Sequence, residues 1–248
     1  MRDLNDYKKQ YGDYPFEPVL VHYRKRKILE LLEANHPKRI LEIGCGIDPL
    51  FKHYDGFEKI CVLEPTESFY QNACRERGLS ESAPRIEVRN KTLESDSAYL
   101  KSQSFDFVLL AGLLHEVEDP ESFLLAVREC VPSHATLHVN VPNANSFHRL
   151  VALQAGLIQS QFEKSSSNLR FQQNSVFDMK GLGALLERCG FNVLESGTLF
   201  IKPFTHSQMQ KMLDHEIIEE RVLEGLHAMT DLLPDHGAEI FINATPAS

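Results

Sequence analysis

Short apolar runs alternate along the chain with stretches in which apolar residues recur every three or four positions, and the alternation holds through the first 200 residues. Runs rich in β-branched and aromatic side chains predict strands at Arg39 to Ile43, Ile60 to Leu63, Arg85 to Arg89, Phe105 to Leu110 and Thr136 to Val141. The helical periodicity between them predicts helices at Ser68 to Arg77, about Leu93 to Leu100, and Pro120 to Val131. A further helix, about Ser175 to Cys189, ends at the stop signal Cys189-Gly190. An extended run follows from Phe191, and Ala238 to Ala244 again reads as a strand. Strands alternating with helices are the pattern of a mostly parallel sheet covered on both faces, which makes the fold class α/β, doubly wound.

Three stretches depart from the alternation. Residues 1–35 form a leading segment that ends in a predicted helix, Tyr23 to Glu33, and read as an N-terminal helical cap on a domain spanning 36–248. Asn143 to Asn174 make a connection of about thirty residues, where two to six is usual, and are expected to form an inserted lid. His206 to Leu233 carry apolar residues at Met209, Met212, Leu213, Ile217, Val222, Leu226 and Met229 and should be largely helical.

Charge narrows the function classes. With 26 Lys plus Arg against 35 Asp plus Glu the net charge is −9, which repels a phosphate backbone, so no nucleic-acid partner is expected. The compact basic run, Arg24 to Lys27, lies within an apolar-periodic stretch and reads as a solvated helix face. Five scattered cysteines without a CxxC pair suggest neither a zinc site nor a disulfide framework. Met1 to Asp6 lack the apolar core of a signal peptide, and no apolar run approaches membrane-spanning length. A cytoplasmic protein off the membrane is expected.

The sharpest chemical signal is Arg39-Ile40-Leu41-Glu42-Ile43-Gly44-Cys45-Gly46, a strand running into two glycines. Glycines there let the backbone turn sharply and approach a ligand at the carboxyl edge of the sheet. Glu64 closes the next predicted strand, twenty positions beyond Gly44, and a carboxylate there can accept hydrogen bonds from both hydroxyls of a ribose. The pair reads as a nucleoside site. A dinucleotide fingerprint needs a third glycine three residues on, where this chain has Pro49 after Ile47-Asp48. An acidic residue near phosphates disfavours a dinucleotide and favours S-adenosylmethionine (SAM), which carries a sulfonium cation and no phosphate.

At these residues the sequence resembles the class I SAM-dependent methyltransferases. Glu42 to Gly46 resemble their first motif and Glu64-Pro65 their acidic second motif. Phe105 to Pro120 resemble the fourth-strand motif of the branch containing ubiquinone-biosynthesis and sugar-modifying enzymes, as does Val141-Pro142-Asn143 after the fifth strand. The resemblance implies a seven-stranded sheet of order 3-2-1-4-5-7-6 with strand 7 antiparallel. It also implies that Glu42, Gly44, Cys45 and Gly46 surround the methionine and ribose parts of SAM, with Glu64 and Pro65 at the ribose. Thr92 and Leu93 would flank the adenine, where the acidic residue common in the family is missing. Ala111, Gly112 and Leu113 would lie beside the methionine moiety, and Tyr14 or Arg24 would close over its carboxylate.

The sulfonium makes the methyl group electrophilic, so the protein must align an acceptor and, for a hydroxyl, remove a proton. His115 is the candidate base, because it lies just past the fourth strand and imidazole titrates near neutrality; packing at a helix start is its other reading. Asn143, His148 and Arg149 are candidate acceptor contacts, and Arg149 suits an anionic group such as a sugar phosphate. His134 and His138 stand about 13 Å apart on a strand, too far to share an ion, and no metal is expected. The first reading is a SAM-dependent O-methyltransferase acting on a small molecule, a sugar or sugar nucleotide among the candidates, and releasing S-adenosylhomocysteine (SAH). An NAD(P)-dependent oxidoreductase and a SAM-binding regulator without turnover are the alternatives. The oligomeric state stays open, a homodimer included.

Overall fold

The computed structural model describes residues 15–164 and 173–247. Its strands β1 (Arg39–Ile43), β2 (Lys59–Leu63), β3 (Ile86–Arg89), β4 (Phe107–Ala111), β5 (Thr136–Pro142), β6 (Phe191–Leu199) and β7 (Glu239–Pro246) form one sheet in the order β3-β2-β1-β4-β5-β7-β6. Parallel pairing brings Ile40 of β1 opposite both Ile60 of β2 and Phe107 of β4. β7 runs antiparallel to β5 and to β6, with Val139 opposite Ile242. This is the order and the antiparallel strand implied by the family resemblance.

The central strands are apolar almost throughout because helices bury both faces of the sheet. On one face Leu41, Ile43, Leu63, Val108 and Leu110 pack under α3 (Leu93–Lys101), α4 (Pro120–Cys130) and α6 (Met179–Arg188), where Leu124, Val127, Leu182 and Leu186 are buried. On the other face Ile40, Ile60, Val62, Phe107 and Leu109 meet Ile28 and Leu32 of α1 (Glu17–Asn35). α2 (Glu67–Leu79) joins β2 to β3, and α5 (Phe147–Gln154) opens the long connection after β5. Residues 165–172 of the expected lid lie outside the described residues. The elaboration expected at 206–233 folds as α7 (His206–Asp214), α8 (Glu220–Ala228) and a 3-10 turn, Met229–Asp231. None of the described helices is long and apolar enough to cross a membrane.

α1 is longer than predicted by just over two turns, starting at Glu17 with Pro18 in its first turn, a position where the missing N–H costs nothing. Its first half packs Leu20 and Tyr23, with Phe16, against Phe200, Met209 and Leu223. The basic run is not a solvated face. Arg24 binds Glu239 and Glu17, Lys25 binds Asp48, Arg26 binds Glu224 at 3.0 Å and Lys27 binds Glu195 at 2.8 Å. Consecutive helical residues fan out by about 100°, so four adjacent cations reach elements on several sides of α1.

α1 is thereby a core element of the sheet's face. Leu32, fully buried against Ile40 and its neighbours, should cost about 2–5 kcal/mol when cut to alanine. Urea unfolding of Leu32→Ala should show that loss in one cooperative transition; a loss well under 1 kcal/mol would mean that α1 docks only loosely.

Candidate functional site

β1 lies between β2 and β4, and the connections leaving β1 and β4 run in opposite directions across the sheet, so a crevice opens at their carboxyl ends. Gly44 and Gly46 adopt φ of +75° and +56°, and Gly112 after β4 adopts +67°, a region side-chain-bearing residues avoid. The Gly44 N–H continues the ladder to the Leu63 carbonyl at 2.8 Å, and the Gly112 N–H to that of Asn140 at 2.9 Å. A Cβ on Gly112 would come within 3.3 Å of the Arg24 guanidinium, so glycine lets α1 close on the β4 turn.

The result is a cleft of about 550 Å³, within the range of small-ligand sites. Of the expected cofactor residues, Arg24, Glu42, Gly44, Cys45 and Gly46 line it, as do Glu64, Pro65, Ala111, Gly112 and Leu113. Strand parity explains the glutamates: Glu42 projects to the same face as Ile40, beneath α1. Glu42 accepts the Leu50 N–H through both oxygens, at 3.1 and 3.2 Å. Burial pushes its carboxyl up to about 8, against the lowering pull of that N–H and with the help of the charge on Glu64. Glu64 is 3% exposed; its Oε2 accepts the Gly46 N–H at 3.1 Å and its Oε1 the Thr66 N–H at 2.9 Å. Burial raises the Glu64 carboxyl, and those amides oppose the rise. The neighbouring Cys45 thiol is also pushed up, by burial and by the two carboxylates.

Other expected site residues do not line the cleft. Exposed Thr92 caps α3 by accepting the Ser95 N–H, while Leu93 turns into the core of the opposite sheet face. His115 is buried in a 3-10 turn, Leu114–Glu116, and its carbonyl accepts the Asn174 and Ser175 N–H groups at 2.8 and 3.0 Å. Successive residues of that turn point about 120° apart, and it is Glu116, not His115, that lines the cleft. The Asn143 amide donates to the carbonyls of Asp235 and Gly237, both at 2.9 Å. Arg149 donates to the carbonyls of Gln161 and Glu163. His148, near Lys202, has its Nδ1 enclosed without a hydrogen-bond partner among the described residues. Tyr14 lies outside the described residues.

Sequence reasoning missed Glu17, Lys25, Lys52, Phe69 and Glu116 on the wall. Glu17 and Arg24 are seven apart, two turns along one helix face, which is a legible signal. Asp48 is not a bare charge beside the glycine turn. Asp48 is held by Lys25, by Lys52 at 3.2 Å and by His53 at 2.9 Å; against its own desolvation, Lys25 and His53 bring its carboxyl down to about 2. A paired aspartate repels phosphate less than a bare one. What stands against a dinucleotide is the loop itself: Pro49 leads into the single 3-10 turn Leu50–Lys52, with no α-helix N-terminus to hold a pyrophosphate.

A glycine turn and a buried strand-end glutamate at the switch point of a 3-2-1-4-5-7-6 sheet define a class I SAM-dependent methyltransferase. A family model described as a methyltransferase domain matches residues 20–196, and the chain belongs to that family. Sequence comparison with curated proteins finds no match. Among solved structures, a SAM-dependent methyltransferase from Thermotoga maritima, described as a possible histamine N-methyltransferase, is 18% identical over 97% of this chain and 98% of that one, with a TM-score of 0.61. A SAM-dependent methyltransferase from Aquifex aeolicus is 14% identical over the whole of both chains, with a TM-score of 0.60. The CurJ carbon methyltransferase is 16% identical over 93% of this chain with a TM-score of 0.54, and this chain spans only 55% of its length. At these identities the likeness is one of fold.

The raised Glu42 carboxyl has a measurable consequence. The folded protein keeps a proton there that the unfolded chain releases near the ordinary value of 4.5, while the folded group releases it at about 8. The stability that this proton confers is therefore full below about pH 4.5 and is lost as the pH rises to about 8. Glu42→Gln retains an acceptor for Leu50 and cannot ionise, so its urea midpoint should gain on that of the parent protein between about pH 5 and pH 8.5. A difference that does not change with pH would show that Glu42 is ionised when folded.

Proposed function

We propose that the cleft binds SAM and that the chain transfers its methyl group to a small-molecule acceptor at the adjoining edge of the sheet, releasing SAH. The observation that carries this reading is the meeting, in one cleft, of the Gly44-Cys45-Gly46 turn with the Glu64 carboxylate hydrogen-bonded to Gly46. Glu64 holds the ribose hydroxyls; the glycine turn leaves room for the chain of the cofactor between itself and Gly112. Arg24, lining the cleft beside Gly112, faces the methionine carboxylate. Phe69 and Pro65 form the apolar wall beyond Glu64 and take over the adenine contact expected of Thr92 and Leu93.

The charge of the wall supports a cationic ligand. Glu17, Asp48, Glu64 and Glu116, beside a protonated Glu42, stand there against Arg24, Lys25 and Lys52. A sulfonium in that surrounding is favoured electrostatically over a pyrophosphate. The acceptor side supports a narrower reading than the sequence did. Asn143 and Arg149 donate to backbone carbonyls, and burial beside Lys202 and Arg149 holds the His148 imidazole well below its ordinary value, so an anionic acceptor such as a sugar phosphate loses its support. We retain a hydroxyl as the methylated group, with proton removal by groups on the wall itself rather than by His115.

The test is calorimetric titration with SAM, SAH and NADH. Truncating a hydrogen-bonding carboxylate costs about 1.5–3 kcal/mol, so Glu64→Ala should weaken SAM and SAH about ten- to a hundredfold. Unchanged affinity would remove Glu64 from the ribose, and binding of NADH in place of SAM would overturn the reading.

A further inference from the structure

Just behind the cleft wall, several ionisable side chains are packed together. Lys202, in the segment leaving β6, is 1% exposed, and its Nζ lies 2.7 Å from His206 Nδ1 at the start of α7. On the far side of that imidazole, Nε2 lies 3.6 Å from the Glu17 carboxylate, and Glu17 lines the cleft. The neighbours facing Lys202 are Glu17 on α1, Glu239 on β7, Arg149 and His148 on α5 and His206 on α7; Arg24 of α1 binds both Glu17 and Glu239. An amine taken out of water is ordinarily neutralised by a carboxylate in contact. Among the described residues, the hydrogen-bond partner of Lys202 is instead an imidazole that leads to the cleft.

We propose that Glu17, His206 and Lys202 form a relay that removes the proton lost by the methyl acceptor. This rests on the methyltransferase reading above. The acceptor atom X, carrying a hydrogen, attacks the methyl carbon; the X–C bond forms and the C–S bond breaks, its electron pair staying on sulfur. The proton leaves X for the Glu17 carboxylate and passes to His206 Nε2, while the proton on His206 Nδ1 moves to the neutral Lys202 amine. The positive charge that the sulfonium loses reappears as the Lys202 ammonium, close to Glu17 and Glu239. The total charge of the enclosed region is the same before and after transfer. The 3.6 Å step between Glu17 and His206 must shorten for transfer, as such contacts commonly do once reactants bind. Burial brings the Lys202 amine down to about 7, with the two carboxylates opposing the fall, so both of its forms are accessible near neutrality. Such a relay selects acceptors whose nucleophilic atom bears a proton, a hydroxyl or an amine, over thioethers and preformed carbanions.

The relay can be tested before the acceptor is known, because SAM carries the sulfonium charge and SAH does not. Calorimetry near pH 7 in buffers of different ionisation enthalpy counts the protons exchanged on binding. SAM should displace on the order of a few tenths of a proton more from the parent protein than from Lys202→Met, since a cation in the cleft disfavours a second one behind it. The ligand's own ammonium contributes equally to both proteins and cancels. SAH should show no such difference. Lys202→Arg, which keeps the charge but cannot release it, should behave as Lys202→Met does, and SAH affinity within a few-fold of the parent shows that each variant is folded. SAM binding with the same proton count in all three proteins overturns the relay alone. Failure of both SAM and SAH to bind the parent protein overturns the methyltransferase reading, and the relay with it.

Discussion

The Arg24 guanidinium ties together the three parts of the molecule that make the cleft. It grips the Glu239 carboxylate through Nε and one terminal nitrogen, reaches Glu17 at 3.2 Å and lies against the Gly112 turn. α1, the first residue of β7 and the loop after β4 therefore meet at one group. Both members of the Arg24 and Glu239 pair are withdrawn from water, with side chains 13% and 5% exposed. Desolvating two charges is offset only when the geometry is good and the remaining donors are used, and the two-point grip supplies that. A shift of α1 would uncover Glu239 and open the cleft together, which couples the integrity of the helix to the shape of the site.

How much of this was legible in sequence follows from what each signal depends on. The sheet order came from strand and helix alternation joined to a family resemblance, and the glycine turn with Glu64 came from residue types that only a few backbone and ligand requirements explain. Positions one residue apart were harder. Thr92 caps a helix while Leu93 turns to the other face of the sheet, and a one-residue step in a 3-10 turn directs Glu116 rather than His115 into the cleft. Motif spacing identifies a segment but not which of its side chains faces inward. The basic run Arg24 to Lys27 looked solvated because its partners, Glu239, Asp48, Glu224 and Glu195, are scattered from the first loop to the last strand. No local pattern announces pairs that distant.

The two cleft glutamates show how environment separates like residues. Glu42 and Glu64 sit at corresponding ends of adjacent strands and both are buried. Glu42 receives one backbone N–H, shared between its oxygens, whereas Glu64 receives two from different loops. Each N–H stabilises the charged form. Glu64 is thus the better supported carboxylate, and Glu42 the one that retains its proton. A neutral Glu42 also spares Glu64 the repulsion of a second charge beneath the glycine turn.

The antiparallel strand explains why so much charge gathers at one edge. In a parallel strand only the carboxyl end reaches the ligand edge; β7, running the other way, brings its first residue, Glu239, there instead. The segment between β6 and β7 must then both leave and return at that edge, which packs Lys202, α7 and α8 against α1. Fold topology alone therefore delivers a strand-start carboxylate, a buried amine and an imidazole to positions behind Glu17 and Arg24 of the cleft wall. The glycine turns after β1 and β4 line the same cleft, and Arg24, lying against Gly112, joins them to that charge.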